Sequence, residues 1–263
     1  MNTVKLIASD LDGTLLTGGR WEIPQETLSL IKDITDRGIV FAVASGRQYE
    51  NLYDLFGPIR DKIAYICYNG GLCVYQGRTI YENFLDRDLA LEIIRDIESR
   101  DGSNAMVSVR GYELISRKDP AFYTYMTENV KAKVSVKDDL FHIDEDIFKA
   151  ALYNSRGELD TPYWERKLGN RCKVLTSGNV WLDFIPERSD KKDALGALCD
   201  ALRITCGEVV AFGDSDNDIG MLSSVGYGIS MSTARDDIKH LAKRSVVSVD
   251  EVLIEILSGT FGR

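Results

Sequence analysis

The sequence predicts an α/β protein: a doubly wound parallel sheet with a second, α+β domain inserted into it. Three observations carry this. Short apolar runs alternate with amphipathic runs of helical period from residue 4 to about residue 70. The same rhythm returns after residue 190. The stretch between reads instead as a hairpin, further short strands and short helices.

Taken in order, VKLIAS (4–9) is a strand. IPQETLSLIKDITDRG (23–38) is a helix, with Pro24 at its start, Leu28, Ile31 and Ile34 on one face, and Gly38 stopping it. IVFAVAS (39–45) is apolar throughout, as a strand covered on both faces must be. RQYENLYDLFG (47–57) is a shorter helix and KIAYICYNG (62–70) a third strand. In the middle, MVSVRGYELIS (106–116) predicts a hairpin turning at Gly111-Tyr112. AFYTYMTENV and DTPYWERKLG predict helices, and KAALYNS, RCKVLTS and NVWLDFIP predict strands. KKDALGALCDALRI (191–204) is a helix, EVVAFGD (208–214) a strand, DIGMLSSVG a helix and YGISMS a strand. Helical stretches from Asp236 and over 250–258 close the series. The expected domains are therefore 1–83 with 185–263, and an inserted 84–184.

Composition bounds the function. With 44% hydrophobic and 28% charged residues, the 263-residue chain has an ordinary globular balance. A net charge of −9 argues against a nucleic-acid partner, which needs a basic face. No apolar segment approaches the ~20 residues that span a bilayer, and no basic-then-apolar leader precedes Asp10. Five cysteines without C-x-x-C spacing are expected to be reduced, buried thiols of a cytoplasmic protein.

Chemistry concentrates where apolar strands end. Asp10 and Asp12 follow the first strand, and residues two apart point to the same side of an extended chain. Two carboxylates held that close call for a cation, a proton, or a reaction that uses both. Asp214, Asp216 and Asp218 follow another apolar strand; a turn with a helix N-cap accounts for them equally well. A calcium loop of the EF-hand type does not, because its sixth and twelfth positions hold Ile219 and Val225 in place of Gly and Glu. Ligand sites in open parallel sheets lie beyond the carboxyl ends of the strands. If the two acidic strand ends are neighbours, an all-oxygen site suited to magnesium results. Ser45-Gly46-Arg47 offers a hydroxyl and a helix N-terminus to an anion, or serves as a plain cap. Lys191 and Lys192 oppose the dipole of the helix they open, so helix stability does not explain them, and simple solvation is the competing explanation. Asn69-Gly70-Gly71 reads as a simple turn.

Together and in this order, DLDGTLL (10–16), ASGR (44–47), a lysine ahead of DAL, and GDSDND (213–218) resemble the haloacid dehalogenase-like (HAD) phosphatase superfamily. The position of the insert, between the second and third motifs, is similar to the Cof-type (IIB) branch with a C2 cap. The third motif departs from the usual glycine-rich GVSKG: here it is RSDKKD. Matching Pro186 and Ala194-Leu195 places Lys191 on the catalytic lysine and puts Lys192 where glycine is usual.

The resemblance implies a Rossmann-like core, an inserted cap that sets specificity, and Mg²⁺-dependent hydrolysis of a small phosphorylated metabolite, sugar phosphates foremost. It implies Asp10 as nucleophile, Asp12 as acid and base, and Asp10, Asp12 and Asp214 as metal ligands, Asp12 mainly through its backbone carbonyl. Ser45, Gly46, Lys191, Arg47 and Asn217 would hold phosphate or substrate, and Asp218 would support the metal site or Lys191. A phosphomutase, or a phosphate-ligand sensor on the same fold, is the alternative. No nucleic acid or membrane partner is expected, and the chain is expected to act as a monomer or weak homo-oligomer. In the insert, Tyr123, Tyr125, Tyr153, Trp164 and Trp181 are candidates for stacking on a sugar, with core packing the competing explanation.

Overall fold

A computed structural model describes residues 3–177 and 179–262. β1 (Leu6–Asp10) leads through a loop to α1 (Gln25–Asp36), β2 (Val40–Ala44), α2 (Tyr49–Leu55) and β3 (Ala64–Cys67). Two strands with no counterpart among the predicted elements follow, β4 (Leu72–Tyr75) and β5 (Arg78–Glu82). They form a hairpin whose turn residues Gln76 and Gly77 both take positive φ, the mirror-image turn that matches strand twist.

The chain then enters the insert. α3 (Arg87–Glu98), also absent from the predicted elements, precedes the hairpin β6 (Ser103–Val109) and β7 (Tyr112–Ser116). That hairpin turns at Arg110-Gly111, one residue before the expected place, with Gly111 at φ +94°. α4 (Pro120–Thr124) runs into a wider π-type turn, Tyr125–Asn129, and β8 (Val134–Lys137), β9 (Lys149–Asn154), α5 (Thr161–Leu168), β10 (Cys172–Ser177) and β11 (Trp181–Pro186) complete the insert. α6 (Lys191–Leu202), β12 (Val209–Gly213), α7 (Ile219–Ser224), β13 (Tyr227–Met231), α8 (Asp236–Leu241), β14 (Arg244–Val246) and α9 (Val249–Ser258) end the described chain.

Two compact units result. The first runs up to Arg47, resumes over Leu52–Glu82 and takes in the chain from Asp190 onward. Its sheet has the order β14-β13-β12-β1-β2-β3-β4-β5. The first six strands in that order are mutually parallel, and β4 and β5 add an antiparallel edge to the wholly parallel sheet expected. Ala8, Ala42, Ala44, Ala64 and Ala211 line one face, and their small side chains leave room for Ala194, Leu195 and Leu198 of α6 to pack closely. The alternate residues Ile7, Phe41, Val43, Val210 and Phe212 point to the other face and are fully buried. The strand order reverses about β1, which lies between β2 and β12, so Asp10 and the residues after Gly213 emerge side by side.

The second unit comprises Gln48–Asn51 and Asn83–Ser189. It reaches past the expected end at 184 because Ser189 is tied back into it: its carbonyl accepts from Lys173 Nζ and its hydroxyl from Asn83. Gln48 joins it by accepting from the Lys133 amide at 2.9 Å. Its sheet, β10-β11-β9-β6-β7-β8, buries one face against α3 and α5 through Ile93, Ile94, Ile97, Trp164 and Leu168. Trp164 is thus core; Tyr125, Tyr153 and Trp181 are half-buried on the opposite face with Phe122, and Tyr123 is exposed.

Cys67, Cys73, Cys172 and Cys199 are free and buried; Cys206 is free but exposed, contrary to expectation, because it opens a single surface turn ahead of β12. Among the described residues no helix is long and apolar enough to cross a membrane.

Candidate active site

The site lies in the first unit, beyond the ends of β1, β2 and β12. β1 delivers Asp10, whose register partner on β2 is Ala44, so Ser45 begins the next loop alongside it. β12 ends at Gly213 and hands on to Asp214. α6 begins at Lys191, capped by Asp190, whose carboxylate accepts the Lys192 amide at 2.9 Å.

Lys191 is at the centre. Its side chain is completely buried, and Nζ donates to Asp10 Oδ1 at 2.6 Å and Asp218 Oδ1 at 2.7 Å. Lys192, one residue on, is exposed. A lysine first in its helix is therefore not a surface charge here but the counter-ion of two buried carboxylates. Burial opposes its charge, yet Asp10 and Asp218 outweigh that and hold it above the ordinary lysine range. Burial pushes the Asp10 carboxyl up to about 8, against the pull of Lys191, and Asp218 and Asp214 push the same way. Burial also raises Asp214, eased by the Thr14 hydroxyl, which donates to its Oδ1 at 3.0 Å.

Asp10, Asp214 and Asp218 each bring a carboxylate oxygen within 4.8 Å of the others. They are not equivalent. Asp218 accepts Lys191 on Oδ1 and the amides of Asp214 and Ser215 on Oδ2, both at 3.0 Å. Its oxygens are committed to holding Lys191 and the loop. Asp10 Oδ2 is buried and has no hydrogen-bond partner among the described residues. An oxygen in that state next to a second carboxylate fits a hard divalent cation such as Mg²⁺, which takes oxygen ligands and neutralises both anions. Gly13 permits the arrangement: with φ +92°, it sits where a Cβ would lie 2.5 Å from Asp214 Oδ2.

The carboxylate of Asp12 stands apart from this trio. Over half exposed, it accepts from Arg47 Nε at 3.0 Å and Nη2 at 2.5 Å. As a side chain it is therefore paired with a cation and does not join the carboxylate cluster.

Asn217 and Asn69 extend the site. Asn217 Nδ2 donates to Asn69 Oδ1 at 3.0 Å, while Asn217 Oδ1 is buried without a partner among the described residues. A Cβ on Gly46 would fall 3.0 Å from Asn69 Oδ1, and the Asn69 amide donates to the Ser45 carbonyl. The Asn69-Gly70 segment, which reads as a simple turn, is therefore the brace for the Ser45-Gly46-Arg47 loop. Asn69 takes φ +56°, and a Cβ on Gly70 would meet the Asp190 carbonyl oxygen at 2.2 Å. The only signal for this in the sequence is an Asn-Gly pair after an apolar strand. Gly70→Ala is expected to destabilise by more than ~2 kcal/mol, combining positive-φ strain with a clash against backbone that cannot yield. A urea midpoint equal to that of the wild type would refute the bracing role.

Comparison with known proteins bears on this geometry. A family model of the haloacid dehalogenase-like hydrolases matches residues 7–253. The chain is 29% identical to 5-amino-6-(5-phospho-D-ribitylamino)uracil phosphatase from Escherichia coli (strain K12), over 92% of this chain and 90% of that one. A solved structure from Eubacterium rectale superposes with a TM-score of 0.86 at 27% identity, covering 97% of this chain and 99% of that one. A HAD subclass IIB sugar phosphatase superposes with a TM-score of 0.79 over 98% and 99%, at 20% identity, which is a likeness of fold.

Proposed function

The chain belongs to the haloacid dehalogenase-like hydrolases, and from that premise we propose that its Asp10–Lys191–Asp214 site hydrolyses phosphate monoesters of small metabolites, sugar phosphates foremost, through an aspartyl phosphate. The observation that carries the reading is the fully buried Lys191 shared between Asp10 and Asp218, with Asp214 beside them, at the point where the strand order reverses. Buried oxygens of a structural ion pair are as a rule all hydrogen-bonded; here Asp10 Oδ2 has no partner among the described residues.

The roles follow from the positions. Asp10 attacks phosphorus, and the bond to the leaving oxygen breaks. Asp12 supplies that oxygen with a proton, then takes one from the water that attacks the phosphoryl group, which releases phosphate and restores Asp10. Asp12 must first exchange its Arg47 partner, an exposed pair worth only ~0.2–1 kcal/mol. Lys191, the Ser45 hydroxyl and the Gly46 amide hold the phosphoryl oxygens as charge builds on them. Asp218 keeps Lys191 aimed, and Asn217, anchored by Asn69, adds a polar contact. Asp10 and Asp214 would hold Mg²⁺, with the Asp12 backbone carbonyl completing the protein's share. The cation would supply charge neutralisation for an anionic nucleophile meeting an anionic ester. The inserted unit would select the organic half of the substrate. The ribitylamino and sugar substrates in the relatives' names favour starting with polyol and sugar monophosphates.

The test is phosphate release from a panel of phosphorylated metabolites, with Mg²⁺ and with EDTA. Release is expected with the metal, and at least about 100-fold less after chelation. Release unaffected by EDTA would overturn the metal assignment. No release from any compound, followed by turnover on adding a sugar bisphosphate activator, would make the protein a mutase.

A further inference from the structure

Three aspartates follow β12, and the reaction proposed above uses two of them. Asp214 would hold the cation, and Asp218 aims Lys191. Asp216, which opens the single turn Asp216–Asp218 between them, has no part in it. Its exposed carboxylate meets Arg235 instead. Arg235 Nη1 donates to Asp216 Oδ2 at 3.0 Å and Nη2 donates to Asp216 Oδ1 at 2.6 Å, a two-pronged grip on one carboxylate. The same guanidinium donates from Nε and Nη2 to Asp237, at 3.2 and 2.8 Å. Arg235 ends the loop that follows β13. That strand pairs in parallel with β12, Gly213 beside Ser230, so the loops after the two strands leave the sheet side by side at the site.

Holding α8 does not account for the grip on Asp216. Asp237, in the first turn of α8, already gives Arg235 a carboxylate and suits the dipole of that helix. An isolated exposed ion pair contributes little, but two-pronged geometry within a network of charges is the exception. Here the base of the arginine is also fixed. Ala234 before it and Ile238 after it are 5% and 1% exposed, buried in the core with Met221 and Leu222. The acidic turn is held from within by Asp218, whose Oδ2 accepts the Asp214 and Ser215 amides. Arg235 holds its exposed side. Two parallel bonds set an orientation as well as a distance, and a small cation such as Mg²⁺ demands near-ideal placement of its ligands. We propose that Arg235 is a positioning residue: through Asp216 it fixes the loop from Asp214 to Asp218, so that Asp214 stays in place to share a cation with Asp10. This rests on the reading of the site above.

Charge and positioning predict opposite signs. Arg235 is a cation near a cation site, so by charge alone its removal tightens Mg²⁺ binding. If it positions the loop, its removal weakens that binding. Isothermal titration calorimetry with Mg²⁺, on the protein without substrate, reads the difference. In Arg235→Gln, the Kd for Mg²⁺ is expected to rise at least about threefold, short of the roughly 10–100-fold loss that follows removal of a group bonded directly to a metal ligand. Arg235→Lys keeps the charge and loses the fork, so its Kd should rise as well, where charge alone predicts no change. On an Asp216→Asn background, Arg235→Gln should add less than about 1.5-fold, because the two side chains act as one unit. Arg235 and Asp216 are exposed, so all these variants should melt with the wild type in EDTA; were the glutamine variant to unfold, the lysine variant decides. An unchanged or lower Kd in Arg235→Gln, an unchanged Kd in Arg235→Lys, or an equal loss with and without Asp216 overturns the inference and leaves the metal site standing. A wild-type protein that binds no Mg²⁺ overturns the metal assignment itself, and this inference with it.

Discussion

Replacing Asp10 by asparagine is expected to lower kcat by at least ~10⁴-fold with little change in stability. The amide cannot attack phosphorus, so the loss is one of chemistry. Stability should hold because burial already pushes the Asp10 carboxyl up to about 8, and a neutral side chain of the same shape relieves like-charge repulsion from Asp218 and Asp214. Lys191 keeps Asp218 as its counter-ion. Phosphate release and a thermal melt on the same preparation separate the two effects. Near-wild-type turnover in a folded Asp10→Asn protein would remove Asp10 from the mechanism.

Lys191→Met should behave in the opposite way for stability. It leaves Asp10 and Asp218 as buried carboxylates with no compensating cation, which costs about 3–5 kcal/mol. Activity should vanish as well. Lys192→Met, one residue away and exposed, should shift stability by no more than about 0.5 kcal/mol. Urea unfolding of both variants checks the contrast, and similar midpoints for the two would contradict the buried placement of Lys191.

The strand ends were the legible part of this chain. Apolar strands ending in Asp10 and Asp214, and the alternation of strand and helix, follow from burial on both sheet faces, which leaves its mark on every residue. The partners of Lys191 were less legible. Asp218 lies within a run of acidic residues that all favour turns, and only the packing of α6 against the Asp216–Asp218 turn, which brings Lys191 to Asp218, distinguishes it from exposed Asp216. Asn69 is an ordinary turn residue until its side chain meets Asn217. The β4–β5 hairpin carries Gln-Gly where Asn-Gly would have announced it. In the second unit, buried Ser108, Glu113, Lys149 and Asp183 alternate with apolar residues as a solvated strand face does. Sequence patterning cannot distinguish water from other buried groups as the medium on that side.

The position of β1 has a consequence for how the chain reaches its native state. Leu6 pairs with Val40 on one side and with Val209 on the other. The second pairing waits until the polypeptide beyond β12 has been synthesised. The insert's sheet, by contrast, draws its strands from the contiguous stretch between Ser103 and Pro186. It can close during translation, while the apolar edge of β1 remains open. Such non-local parallel pairing is slow and exposes a strand edge to other chains meanwhile. Refolding should therefore proceed in two phases, with the inserted unit gaining amide protection first and β1 among the last.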